Sequence, residues 1–157
     1  MSHPGSTVSA MTTLIVLGAV AGAIVWLVTR DQPQQNAAAA QRWGQFHQYA
    51  IANQLQLLYI DSDYQHARQG SKAVVYEYGN PAVKRDAWFW WEQVHRGSVV
   101  AVRHSQGWGP HTHRDNVLYI GDGPTRHSGI HGALDAKTLA RARRHFATAQ
   151  GLADTCL

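Results

Sequence analysis

One cysteine, Cys156, is all the sulfur chemistry this 157-residue chain offers besides two methionines. A lone thiol makes no internal disulfide. That excludes a disulfide-stapled secreted scaffold and a zinc module built on cysteines, and leaves an intermolecular bridge as the one disulfide open to it. Excess charge is also scarce. The formal balance is +4, too small to imply nucleic acid, and as suited to a membrane surface or an acidic partner. Lys and Arg are missing from Met1 to Ala10, and with them the basic start of a secretory signal. The sequence holds no Gly-x-Ser-x-Gly elbow, P-loop, Gly-x-Gly-x-x-Gly or His-Glu-x-x-His, so the enzyme classes that rest on those motifs find no support.

Aromatic and apolar residues, by contrast, are plentiful. Hydrophobic content of 45% with six tryptophans argues for a packed domain and against disorder. Ten histidines make the charge of that domain unusually responsive to pH near neutrality.

Met11 to Val28, MTTLIVLGAVAGAIVWLV, carries no charge, and about eighteen residues at a helical rise of 1.5 Å meet the minimum for a bilayer core. Trp26 sits near one end, where an indole favours the interface, and Arg30 stops the run. The run exceeds a signal-peptide core, and the nearest small-residue cleavage site, Ala38 to Ala40, lies too far beyond it. The expected organisation is a polar tail over 1–10, a retained transmembrane helix over 11–29, a linker over 30–36 broken by Pro33, and a soluble domain over 37–157. Arg30 and Arg42 follow the span and no basic residue precedes it, so the positive-inside rule puts the domain in the cytoplasm of a single-pass cell-membrane protein. Gly18-x-x-x-Gly22 has the small-xxx-small spacing that lets spans pair with a partner or a second copy.

In the soluble part, Ala37 to Leu58 reads as a helix, with Trp43, Phe46, Ala50, Leu57 and Leu58 along one stripe. Asp61-Ser62-Asp63 and Gly70-Ser71 break it. Strands are expected over 73–78, 87–94, 98–104 and 116–120, the second and third joined at His95-Arg96-Gly97 as a hairpin. No helical crossover separates them, which predicts an antiparallel meander. Asp135 as N-cap and Gly151 after the last turn bound a final helix over 136–150. The predicted class is α+β: about four antiparallel strands with a helix before and a helix after the sheet.

Three groups of residues carry functional weight. In the strand over 87–94, Trp88 and Trp90 share one face while Phe89 and Trp91 share the other. Helices that cover one face leave two large aromatics outward, a contact surface for a protein partner to which Trp108 is added. His104, His111, His113, His127 and His131 crowd a glycine-rich stretch. His111 and His113 would share a face if extended, and His127 and His131 would meet if helical. A zinc ion with one open position would suit such a set. Lys137, Arg141 and Arg144 line the polar face of the last helix, where anionic lipid phosphates would be met. Aromatics interleaved with basic residues, the mark of nucleic-acid binding, are not seen. The expectation is therefore a non-enzymatic, membrane-anchored accessory or scaffold protein that binds a partner, without a cofactor. The alternative is a metal-binding or metal-dependent hydrolase-type domain built on the His104–His131 cluster.

Overall fold

A computed structural model describes residues 32–103 and 117–154, with side chains through residue 150. Met11 to Val28 therefore lies outside the described residues. Among those that are described, no helix is long and apolar enough to cross a membrane. Helix α1 (Gln32–Ala52) precedes a six-stranded sheet and helix α2 (Ala136–Asp154) follows it; the residues from Asn36 onward, which take in all but the first four of α1, form one unit. The strands are β1 (Gln56–Ala67), β2 (Gly70–Glu77), β3 (Lys84–Trp90), β4 (Val99–Val102), β5 (Val117–Ile120) and β6 (Ile130–Leu134), arranged β5-β3-β2-β1-β4-β6. The class is α+β as expected, with six strands where four were predicted.

Helix α1 begins before the predicted boundary and stops before the predicted end. Pro33 falls in its first turn, where a missing N–H belongs to the set that lacks an intrahelical acceptor anyway, so the proline does not break the helix. At the other end Gln54 takes a left-handed φ of 54°. The Leu55 amide then bonds back to the Ala50 carbonyl at 2.8 Å, and that of Gln54 to Ile51 at 3.0 Å. This is the Schellman closure, made here without glycine.

Leu57 and Leu58 consequently belong to a strand, and point to opposite sides of it. The polar run that reads as a break, Asp61 to His66, is the second half of β1, with register irregularities between Ile60 and Ser62 and between Asp63 and Gln65. Those bulges let a charged sequence stay in the ladder.

Two cores result. Leu58, Ile60, Ala73, Val75, Ala87, Phe89, Val100, Val102 and Ile120 face inward from β1 to β5, joined by Val94 from the connection after β3 and by the partly buried Leu118 and Ile130. Neither described helix contributes to this cluster. The sheet curls around it and makes its own interior. On the outer face of β1, β4 and β6, Val99, Leu134 and Leu139 pack with Trp43, Phe46, Leu57, Tyr59 and Tyr78, and Ala39 and Ala40 of α1 meet Ala142 of α2. The Arg143 guanidinium lies over the rings of Tyr59 and Tyr78 at 5.4 and 5.7 Å, and Trp43 leans on Tyr78 at 4.6 Å. Cation–π and aromatic contacts thus tie both helices to this half of the sheet. Phe146 of α2 is 45% exposed, and the helix runs on through Gly151, which was expected to follow its last turn.

The predicted 95–97 hairpin does not form, because β3 and β4 are not neighbours. Residues 91–98 instead wrap the β1–β2 turn: the Trp91 amide bonds to the Gln69 carbonyl and the Ile60 amide to that of Ser98. Inside that wrap the fully buried Ser71 hydroxyl donates to the Glu92 carbonyl at 2.9 Å and accepts from the Val94 amide at 3.1 Å. The meander is likewise corrected at β5, which pairs parallel to β3, Ala87 with Leu118 and Phe89 with Ile120.

Residues 121–129 then carry the chain from one edge of the sheet to the other. Asp122 and His127 close an antiparallel bridge, and Gly129 sits so near Gly121 and Ile120 that an added Cβ would lie 2.8 Å from Ile120 Cγ2 and run into the Gly121 nitrogen. This glycine contact is the seam of the curl.

Gly129→Ala should therefore lower stability by about 1–3 kcal/mol, the usual cost of overpacking, read as a fall in the urea midpoint. At the start of α2 the Asp135 carboxylate accepts from the Thr138 amide at 2.9 Å and from its hydroxyl at 2.7 Å. Those two bonds, the amide first, hold its pKa below the ordinary value. The stabilisation is thus complete above about pH 4 and lost as pH falls through the depressed value. Asp135→Ala should cost about 1 kcal/mol at pH 7, and the gap in melting temperature between the two proteins should close in acid.

Candidate functional site

Helices α1 and α2 occupy the outer face of β1, β4 and β6. The other outer half, on β2, β3 and β5, carries no described helix. Alternation puts Trp88 and Trp90 there, because Ala87 and Phe89 face inward at 1% and 0% exposure. Pairing aligns Lys72, Trp88 and Tyr119 in a row across β2, β3 and β5. Trp88 and Trp90 meet edge to face at 5.4 Å, and the Lys72 ammonium stands 5.9 Å from the Trp88 ring.

Trp91 follows with a φ of 64°, a left-handed backbone that a bulky residue adopts only when held. The Gln69 carbonyl holds its amide, its indole N–H donates to the Asp122 carbonyl at 3.1 Å, and the Arg126 guanidinium covers its ring at 5.4 Å. The turn swings Trp91 out of the strand alternation and beside Trp90, with ring centroids 6.4 Å apart. Trp90 lies flat against Gly123, where an added Cβ would stand 2.9 Å from the ring. The result is a ledge of three half-buried indoles bordered by Lys72 and Arg126. Trp88 Nε1 is buried in it without a hydrogen-bond partner.

The candidate contact residues thus divide. Trp88, Trp90 and Trp91 come together, Phe89 is wholly in the inner core and presents no surface, and Trp108 lies outside the described residues. Arg126, which sequence reading did not connect with the tryptophans, reaches them only through the bridge that folds 121–129 back.

His104, His111 and His113 also lie outside the described residues. His127 is in the bridged turn and His131 is an exposed residue of β6, so the helical spacing that would have paired them does not exist. Among the described residues no group of three His, Cys, Asp or Glu side chains is placed to hold a metal. Lys137 and Arg144 are exposed on α2 and Arg141 is half-buried.

A second cluster had no signal in the sequence. His66 Nε2 lies 3.1 Å from Asp63 Oδ2 and its Nδ1 lies 2.7 Å from Gln93 Oε1. The Gln93 amide nitrogen donates to the carbonyls of Ala67 and Gly70, which fixes the amide with its oxygen toward the imidazole. Both ring nitrogens therefore face oxygen partners. Burial pushes the Asp63 pKa up, but bonds from the Arg96 amide, its own amide and His66 outweigh it and leave the carboxylate below its ordinary range. The cluster staples the 91–98 connection to β1.

Comparison with protein families, with curated proteins and with solved structures finds no match to this chain.

Trp91→Phe should be costlier than Trp88→Phe, because only the first forfeits a hydrogen bond. The difference should be about 0.5–1.5 kcal/mol, measured by urea denaturation of the two variants side by side.

Proposed function

We propose that this chain is a non-enzymatic accessory or scaffold protein, held in the cell membrane by residues 11–29, whose domain binds a protein partner through the tryptophan ledge. One observation carries the reading: among the described residues the two helices cover only half of the outer sheet face, and the other half carries Trp88, Trp90, Trp91 and Tyr119 between two cations. Tryptophan and arginine are the side chains that most often dominate binding energy at protein interfaces, and contiguous aromatic patches on small domains mark contact sites. The strained backbone at Trp91 supports it further, since such conformations persist where a surface has to be held in one shape.

Lys72 and Arg126 at the border favour a partner with an acidic rim, and complementary charge there speeds encounter more than it adds affinity. With the span retained, the positive-inside rule favours a cytoplasmic domain, where other membrane-bound subunits or a second copy of the chain would be the available partners. Lys137 and Arg144 on α2 would lean toward anionic lipid in the same setting.

Affinity purification of the tagged full chain from native membranes in detergent tests the reading. A stable complex should be recovered, and Trp90→Ser should reduce it by about tenfold or more. Arg126→Glu, an exposed change that leaves the core untouched, should weaken it too. Recovery of the unaltered chain as free monomer alone would overturn the proposal.

A further inference from the structure

The curl of the sheet has two ends, and they differ. At one, Val94 and the 91–98 connection plug the interior. At the other, where β1 begins and β2 ends, a cavity of about 230 Å³ opens between Gln56, Leu58, Val75, Glu77, Asn80, Val83, Arg85 and Leu118. Leu58, Val75 and Leu118 belong to or pack on the inner core and form an apolar floor. Gln56, Glu77, Asn80 and Arg85 supply polar groups around the rim.

The two charges on that rim are the telling feature. Val75 pairs with Arg85 and Leu58 pairs with Glu77, so Glu77 and Arg85 stand on adjacent strands as diagonal neighbours of the same face, within reach of each other. They form no ion pair, although on the opposite face Lys84 and Asp61 join at 2.7 Å across the same three strands. Neither Glu77 nor Arg85 has a salt-bridge or side-chain hydrogen-bond partner among the described residues. An acceptor and a planar donor, left apart over an apolar floor at a barrel-like mouth, fit the usual make-up of a small-molecule site.

We infer that this mouth binds a small zwitterion with an apolar body, of the kind represented by a free aliphatic α-amino acid. Its carboxylate meets the Arg85 guanidinium in the bidentate geometry that the fork favours. Its ammonium meets Glu77, with the Gln56 and Asn80 amides beside them, and its side chain covers Leu58, Val75 and Leu118. A cavity of about 230 Å³ suits a ligand of this size. The site lies inside the curl, whereas the tryptophan ledge lies outside it. The two readings stand separately.

Titration of the ¹⁵N-labelled full chain in detergent with leucine tests the inference, alongside 4-methylpentanoate, which lacks the ammonium, and 3-methylbutylamine, which lacks the carboxylate. Leucine should move the amide signals of Gln56, Glu77, Arg85 and Leu118 saturably in the millimolar range or below. Each one-charge analogue should bind about tenfold more weakly or worse, the loss of one charge-assisted contact. Arg85→Gln and Glu77→Gln should each weaken leucine similarly while keeping the melting temperature of the parent. The analogue series needs no variant, so a misfolded substitution does not blunt the test. Absence of saturable shifts at the mouth with millimolar leucine would overturn it, as would equal binding of leucine and 4-methylpentanoate.

Discussion

The close approach of Gly129 to Gly121 and Ile120 governs this fold. Two short strands at opposite edges of one sheet can enclose a shared core only if the chain between them brings those edges together, and a side chain at Gly129 would hold them apart. Because the seam closes, a four-residue β5 and a five-residue β6 can complete an interior to which neither described helix contributes. Both helices are thereby released to the outer face. That division of labour explains why Leu57 and Leu58 are adjacent and apolar: one serves the outer helical layer, the other the enclosed core.

The same closure sets up both surfaces to which function is assigned. It folds 121–129 back so that Arg126 and Gly123 reach Trp91 and Trp90, turning outward residues of β3 into a continuous aromatic ledge. It also leaves a cavity at the far end of the curl, where Glu77 and Arg85 form no ion pair with each other or with another of the described residues. Charge and aromatic character are thus sorted by topology. The outer half-face gathers indoles and cations, while the mouth gathers one charge of each sign.

Local chemistry was legible in the sequence wherever it determined structure alone. Asp135 caps α2, Gly79-Asn80 ends β2, and the alternation of Trp88, Phe89 and Trp90 sorts them to two faces. The failures have two causes: helix ends closed by residues other than the usual signals, and outcomes decided by distant partners. Gln54 stops α1 in a left-handed turn that a glycine would have advertised. Asp61 to His66 reads as a loop because bulges and the returning 91–98 connection, not its own composition, keep it in the sheet. Four strands became six because Gln56–Ala67 and Ile130–Leu134 carry polar or small residues that only a curled neighbour makes sense of. The ledge was half visible, its tryptophans evident and its arginine hidden in a turn. The Asp63–His66–Gln93 staple and the charged mouth depend on register and were not visible at all.

The parallel docking of β5 on β3 has a consequence for how the chain assembles. β1, β2 and β3 join through short turns, so their pairing costs little closure entropy, whereas Asp86 meets Val117 only after the chain has travelled through β4 and back. Ordering a long loop before any contact rewards it is slow. The three-stranded meander is thus the natural nucleus, β5 and the seam are late additions, and the inner core stays wet until they arrive. In the finished protein the same strand, four residues long and bonded to a single neighbour among the described strands, is where native-state hydrogen exchange should begin, so the enclosed interior is first exposed to solvent along its latest-made join.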